Sequence, residues 1–247
     1  MAKKFKIQTD KALSGKVALV TGANQGIGLA IARALAANGC NLVITGRDKR
    51  RLKQALKTLE KAGVEVLPCL CDVRDPESVN ALAIAIEGRF HRLDFLINNA
   101  GIAHPGRKVD KLQYETWKQV IDTNLNGLFL VTHTMLPLIR RGGAIANNLS
   151  IAAKRVFPGS SAYNASKHGA LGFTNTLREE LRGKGIRVIA MLPGATDTAI
   201  WETLWPEAPR KKMMSAETVA TVLLDALLLP RDGTAEELLV LPGAGTL

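Results

Sequence analysis

A chain of 247 residues with 47% apolar side chains has room for one large α/β domain or two small ones around a substantial core. Its net charge of +11 is scattered, with small clusters at Lys49-Arg50-Arg51 and Arg210-Lys211-Lys212, and only 4% of residues are aromatic, which argues against a nucleic-acid groove and leaves a phosphate-bearing cofactor, an acidic substrate or simply a solvated basic surface as its meaning. No apolar run reaches membrane-spanning length, and the basic start Met1-Ala2-Lys3-Lys4-Phe5-Lys6 is not expected to be a secretory signal because no apolar core follows it.

Residues 1–13 read as a polar basic arm and residues 14–247 as a single domain, since no repeat, low-complexity tract or linker interrupts them. The three cysteines, Cys40, Cys69 and Cys71, give no disulfide framework or metal-ligand spacing. Reduced thiols in a cytoplasmic protein are the expectation.

Val17-Ala18-Leu19-Val20 is a short, fully apolar run, as suits a strand buried on both faces. Thr21-Gly22-Ala23-Asn24-Gln25-Gly26-Ile27-Gly28 follows at once, and Leu29, Ile31, Ala32, Leu35 and Ala36 then recur at helical spacing up to Asn38-Gly39. Glycines between a buried strand and a helix N-terminus let a pyrophosphate approach the backbone, where free N–H groups and positive potential meet it. A second strand, Asn41–Thr45, ends in Gly46-Arg47-Asp48. An acid at such a strand end binds the ribose hydroxyls of NAD, whereas an arginine accommodates a 2′-phosphate, so Arg47 favours NADP.

Asp48 is a plausible N-cap for a helix over Lys49–Lys61. Val64–Cys71 reads as a third strand, with Asp72-Val73 at its end, where Asp72 could meet an adenine amino group. A helix over Pro76–Glu87 precedes the fourth strand, Asp94–Ile97, which ends in Asn98-Asn99-Ala100-Gly101. Residues 111–140 are mostly helical with Asn124 in their middle, and Gly142-Gly143 reads as the stop that opens the strand carrying Ser150. Ser160 or Ser161 starts a helix to about Gly183, and a strand over Arg187–Met191 leads to Leu192-Pro193-Gly194, with Thr196, Asp197 and Thr198 beyond. Residues 199–214 carry Ile200, Trp201, Leu204 and Trp205, so the stretch near 195–214 reads equally as a lid over an apolar substrate or as packing. A helix over Ala216–Leu229 and a strand near Leu238–Leu241 finish the domain.

Tyr163 and Lys167 stand four apart, which stacks them on one helix face. A phenol titrates near ~10. An ammonium beside it is expected to lower that value, so that the tyrosine exchanges a proton with a carbonyl or alcohol oxygen. Ser150 could hydrogen-bond the same oxygen.

These residues together resemble the short-chain dehydrogenase/reductase family. The match covers nearly all of residues 14–242 and is carried by Thr21-Gly22-x-x-x-Gly26-Ile27-Gly28, Asp72-Val73, Asn98-Asn99-Ala100-Gly101, Asn124, Ser150, Tyr163-x-x-x-Lys167 and Pro193-Gly194. The resemblance implies a doubly wound Rossmann-type α/β fold with a seven-stranded parallel sheet. It makes Tyr163 the general acid/base, Lys167 the group that lowers the pKa of Tyr163 and holds the nicotinamide ribose, Ser150 the group that orients the substrate oxygen, and Asn124 the holder of a relay water. Cofactor contacts are then expected from Gly22, Asn24, Gln25, Gly26, Ile27, Gly28, Arg47, Asp72, Val73, Asn99, Ala100, Gly101, Tyr163, Lys167, Pro193, Gly194, Thr196 and Thr198. No metal is expected.

Asn148 and Leu149 depart from the family pattern, which usually has an apolar residue and often a serine there. The glycine loop also lacks the basic residue that NADP-preferring members often carry. The reading is an NADP(H)-dependent reductase or dehydrogenase acting on a carbonyl or secondary alcohol, with NADP(H) favoured over NAD(H); the resemblance further implies a homodimer or homotetramer joined through the two long helices, near 111–140 and 161–183. A cofactor-sensing binding protein without turnover is the alternative, and the complete Ser150, Tyr163, Lys167 and Asn124 set argues against it. A related sugar-nucleotide epimerase or dehydratase fits the glycine spacing less well.

Overall fold

The computed structural model describes residues 11–230 and 232–245. Seven strands form one sheet: β1 (Val17–Val20), β2 (Asn41–Gly46), β3 (Val66–Leu70), β4 (Leu93–Asn98), β5 (Ile139–Asn148), β6 (Arg187–Pro193) and β7 (Glu237–Val240). Their order is β3-β2-β1-β4-β5-β6-β7, and every neighbouring pair is parallel. The seven-stranded, doubly wound sheet implied by the family resemblance is therefore present. The chain runs outward from β1 to β3, then crosses back to β4 and runs the other way. Between β1 and β4 lies the switch point where such sheets open a crevice at their carboxyl ends.

The strand sequences explain their positions. β1 and β4 are buried along their whole length, whereas the edge strands β3 and β7 have partly exposed side chains throughout. Ala18 and Val20 pack toward α1 (Gly26–Ala37), α2 (Lys49–Leu59) and α8 (Ala216–Leu227). Val17 and Leu19 pack on the opposite face toward α3 (Pro76–Phe90), α5 (Gly127–Met135) and α6 (Ser161–Arg182). Among the described residues the two remaining α-helices are α4 (Tyr114–Ile121) and the short α7 (Ile200–Leu204). Asp48 accepts the Arg51 N–H as the N-cap of α2, as its position suggested.

Two sequence expectations need correction. The arm expected over residues 1–13 lies outside the described residues as far as residue 10, but Leu13 is buried in the core and its N–H donates to Asn38 O at 2.9 Å. Leu13 thus belongs to the domain. The helical stretch expected over 111–140 stops earlier. α4 continues through a π-helical turn, Asp122–Asn126, into α5, which gives way to a 3₁₀ turn at Leu136–Leu138. Gly142 and Gly143 sit inside β5, where its register against β4 shifts. A Cβ on Gly143 would lie 2.7 Å from Asp94 O, so this glycine serves close strand approach rather than a helix stop.

Candidate active site

The crevice is built first by Thr21, at the end of β1. Its hydroxyl oxygen accepts the N–H groups of Asn99 (2.9 Å) and Ala100 (3.0 Å), which locks the end of β4 beside the glycine loop. Asn99 Nδ2 donates to the carbonyls of Thr21 (2.9 Å) and Gly22 (3.1 Å), and Asn148 Nδ2 donates to Asn99 Oδ1 (2.8 Å). A chain of amides therefore ties the glycine loop to the end of β5.

The loop fits a pyrophosphate. Gly22 and Gly26 have φ of +63° and +55°, which side-chain-bearing residues rarely adopt. A Cβ on Gly28 would stand 2.3 Å from Asn99 Nδ2 and 2.5 Å from Gly22 O. Gln25 precedes α1 without a side-chain cap, and the first turn of the helix carries no acidic residue. The N–H groups there are thus left to a ligand, in positive potential.

At the β2–β3 end, the acid position is Gly46. A Cβ there would meet the Asn24 side chain at 3.0 Å, so Asn24 fills the space beside the strand end. Arg47 Nη1 lies 4.0 Å from Asp72 Oδ2. Arg74 grips the same carboxylate through Nε (2.9 Å to Oδ1) and Nη2 (2.6 Å to Oδ2), and holds it below the usual carboxylate range. Asp72 is thus an anion already shared by arginines. Arg51, from α2, donates Nη1 to Gln25 Oε1 and lines the crevice beside Arg47.

The other half holds Ser150, Tyr163 and Lys167. Tyr163 lies in the first turn of α6, and Lys167 Nζ sits 5.6 Å from its ring centre and donates to Asn148 O at 3.2 Å. Ser150 lies two residues beyond β5, not on the strand expected to carry it, and caps the 3₁₀ turn Ile151–Ala153 by accepting the Ala152 N–H at 3.1 Å. Burial raises the Tyr163 phenol above its ordinary value, and a hydrogen bond with Ser150 opposes the rise. Burial also lowers Lys167 to about 8. Burial is the larger influence at both groups, and at Tyr163 the Ser150 hydrogen bond works against it.

Asn124 falls within the π-helical turn, a distortion frequent at functional sites. Its Oδ1 accepts the Ile102 N–H (2.8 Å), and its Nδ2 donates to Ile102 O (2.9 Å) and Ser166 Oγ (3.1 Å). The side chain is fully engaged in holding the loop after Gly101.

One crevice of about 950 Å³ gathers nearly all of these groups. Gly22, Asn24, Gln25, Gly26, Ile27, Arg47, Asp72, Val73, Asn99, Ala100, Gly101, Ser150, Tyr163, Lys167, Pro193, Gly194, Thr196 and Thr198 line it. Gly28 and Asn124 do not, but brace lining residues from behind. Thr196 contributes little side chain: it is buried and its hydroxyl donates to Gly194 O at 3.1 Å. Sequence reasoning missed Arg51, Ile151, Phe157 and Pro158, and noted Asn148 only as a departure, yet all five line the crevice. The contact between Arg51 and Gln25 spans 26 residues and leaves no local signal.

A phosphate cradle at the switch point and a Ser-Tyr-Lys set in the same crevice define a nicotinamide-dependent oxidoreductase. The chain belongs to the short-chain dehydrogenase family, whose model, described as short chain dehydrogenase, matches residues 16–209. It is 39% identical over 188 residues to a 3beta-hydroxysteroid dehydrogenase of Mediterraneibacter gnavus, covering 76% of this chain and 68% of that one. Among solved structures it resembles an alcohol dehydrogenase from the archaeon Thermococcus sibiricus complexed with 5-hydroxy-NADP, with a TM-score of 0.87, 31% identity and coverage of 94% and 98% of the two chains. A 3-ketoacyl-(acyl-carrier-protein) reductase from Brucella melitensis complexed with NADH matches with a TM-score of 0.85, 29% identity and coverage of 94% and 99%. Among the described residues no helix is long and apolar enough to cross a membrane.

Proposed function

We propose that this oxidoreductase interconverts a carbonyl and a secondary alcohol, prefers NADP(H) to NAD(H), and uses Tyr163 as its general acid/base. The observation that carries the reading is the convergence of Ser150, Tyr163 and Lys167 in the crevice whose far end is the glycine loop. The nicotinamide, when bound, supplies or accepts the hydride. In reduction, Tyr163 gives its proton to the carbonyl oxygen while Ser150 hydrogen-bonds that oxygen and holds it in place. Lys167, fixed by Asn148 O, stands beside the phenol and would hold the nicotinamide ribose. A relay water at Asn124 would be held by its main-chain carbonyl, because the side-chain amide is committed to Ile102 and Ser166.

The cofactor preference rests on Arg47 and Arg51 beside Gly46. Gln25 holds Arg51 over the crevice, so α2 supplies a second cation that the glycine loop itself does not carry. The relatives complexed with NADP or its analogue support this reading, and the one complexed with NADH makes the preference worth measuring. Arg47→Ala and Arg51→Ala should each weaken NADPH about tenfold, as expected for losing a charged hydrogen bond, while NADH changes less than about twofold. Fluorescence titration of both cofactors checks this. Equal losses for the two would remove the phosphate assignment.

Residues 14–247, with Leu13, are proposed to form one catalytic domain that works in the cytoplasm, where its three free thiols stay reduced. A homodimer or homotetramer is proposed through α5 and α6. Phe129 on α5 is 52% exposed, stacks on His133 and meets Phe173 of α6 edge-on, leaving an aromatic patch open on the helix pair. Sedimentation equilibrium should give a multiple of the 26.5 kDa chain mass that falls in Phe129→Glu, and a single-chain mass for the parent would overturn the assembly.

A further inference from the structure

The two halves of the crevice differ in chemistry. Strand order puts the ends of β2 and β3 on one side of the switch point and those of β5 and β6 on the other. Arg47, Asp48, Arg51 and Asp72 all line the β2–β3 side. Toward β5 and β6 the lining carries, among the described residues, no Asp, Glu or Arg, and its one Lys is Lys167. Phe157, after β5, and Trp201, Leu204 and Trp205, in and just beyond α7, line that side instead. Phe157 is 37% and Trp205 46% exposed, so large apolar surfaces are held open at the crevice.

The α7 segment is braced. Trp201 Nε1 donates to Thr196 O (2.8 Å), and the Trp201 and Trp205 rings meet edge-on with centroids 6.5 Å apart. Arg210 Nε donates to Asp197 Oδ1 at 2.6 Å. Main-chain bonds from Asp197 N to Met214 O (2.9 Å) and from Met214 N to Ala195 O (3.1 Å) close the base of the segment. Thr198 reaches across to the glycine loop, its Cγ2 3.3 Å from where a Cβ on Gly26 would sit. An aromatic wall tied at both ends and facing the crevice has the form of a binding surface, which favours the substrate over packing as the reason for these side chains.

We propose that the substrate is an uncharged, largely apolar carbonyl compound, or its secondary alcohol, with its oxygen at Ser150 and Tyr163 and its body against Trp201, Leu204, Trp205 and Phe157. The inference rests on the carbonyl-reductase reading above. A carboxylate or phosphate on the substrate would lose its hydration on this side with no cation but Lys167 among the described lining residues there, and Lys167 is engaged by Asn148 O and, on the reading above, by the nicotinamide ribose. An apolar body gains about 25 cal/mol for each Å² it removes from water, and flat rings gain further from the aromatic wall.

The test uses the full chain with NADPH and two matched pairs: cyclohexanone against 2-tetralone, and 2-octanone against 7-oxooctanoate. The kcat/KM for 2-tetralone should exceed that for cyclohexanone by at least about tenfold, and 7-oxooctanoate should fall at least about tenfold below 2-octanone. Trp205→Ala should draw the first ratio toward one. Equal values within each pair, or a preference for 7-oxooctanoate, would overturn the proposal. Tryptophan emission gives a readout that needs no turnover. Of the three tryptophans, Trp201 and Trp205 line the crevice and Trp117 does not. Saturable quenching by 2-tetralone that shrinks in Trp205→Phe supports the assigned surface, and no quenching overturns it. If 2-tetralone quenches but none of the four carbonyls consumes NADPH, the reductase reading fails while the apolar binding surface stands.

Discussion

Tyr163→Phe should lower turnover of any carbonyl substrate by about 10²–10⁴-fold, the range set by removing a positioned general acid. NADPH affinity should change far less, because the pyrophosphate cradle and the arginine pair lie at the other side of the crevice. The hydroxyl is removed with its ring left in place, so the side chain keeps its packing. Initial rates under saturating NADPH, with cofactor binding measured separately, check both halves. Turnover that survives the substitution would mean that another group delivers the proton.

The pH dependence follows from the same residue. Alcohol oxidation needs the phenolate, and burial raises the Tyr163 pKa. The fraction of phenolate therefore grows with pH throughout the range below that pKa. Oxidation should climb from about pH 7 to about pH 10 by up to about tenfold per unit, while reduction, which uses the phenol, should show no such climb. A plateau of oxidation already at about pH 7 would show that the phenol ionises far more readily than its surroundings indicate.

What the sequence displayed and what it hid divide along the range of the interactions. The apolar run Val17–Val20 and the glycines behind it are local facts, and they suffice for a buried strand feeding a helix N-terminus. Tyr163 and Lys167 share a helix, so their neighbourhood was legible from spacing alone. Their ionisation was not, because it depends on how much water the fold excludes around each group and on the Ser150 hydrogen bond, neither of which spacing shows. The end of the long helical stretch was misplaced at Gly142-Gly143 because two glycines look alike as a stop and as a place where strands approach closely. Arg51 illustrates the limit most clearly. Its neighbours in sequence make it one of a basic cluster on a helix, and only the turn of Gln25 toward α2 brings it to the crevice. The same holds for Phe157, which comes to line the crevice only through the course of the loop after β5.

Gly28→Ala should be the most damaging single-carbon change in the cofactor half. The added Cβ would fall 2.3 Å from Asn99 Nδ2 and 2.5 Å from Gly22 O, and the second of these is backbone. Neither neighbour can turn aside cheaply. Asn99 is held by the carbonyls of Thr21 and Gly22 and by Asn148, so pushing it breaks the amide chain that joins the glycine loop to β5. Overpacking of this kind costs about 1–3 kcal/mol of stability. Displacing a positioned loop by about 1 Å costs on the order of 10²-fold in function. The expected result is a lower melting temperature together with NADPH binding weakened about a hundredfold. Gly88→Ala is the matched control. Gly88 lies within α3, is exposed, and has open space out to 4 Å around the point where a Cβ would stand, so alanine there should be neutral or stabilising by about 0.5–1 kcal/mol. Thermal melts and NADPH titrations of the two variants side by side separate close approach from the general effect of adding a methyl group. If Gly28→Ala melts and binds like Gly88→Ala, the glycine loop has slack, and the contact between Gly28, Gly22 and Asn99 does not set the shape of the cradle.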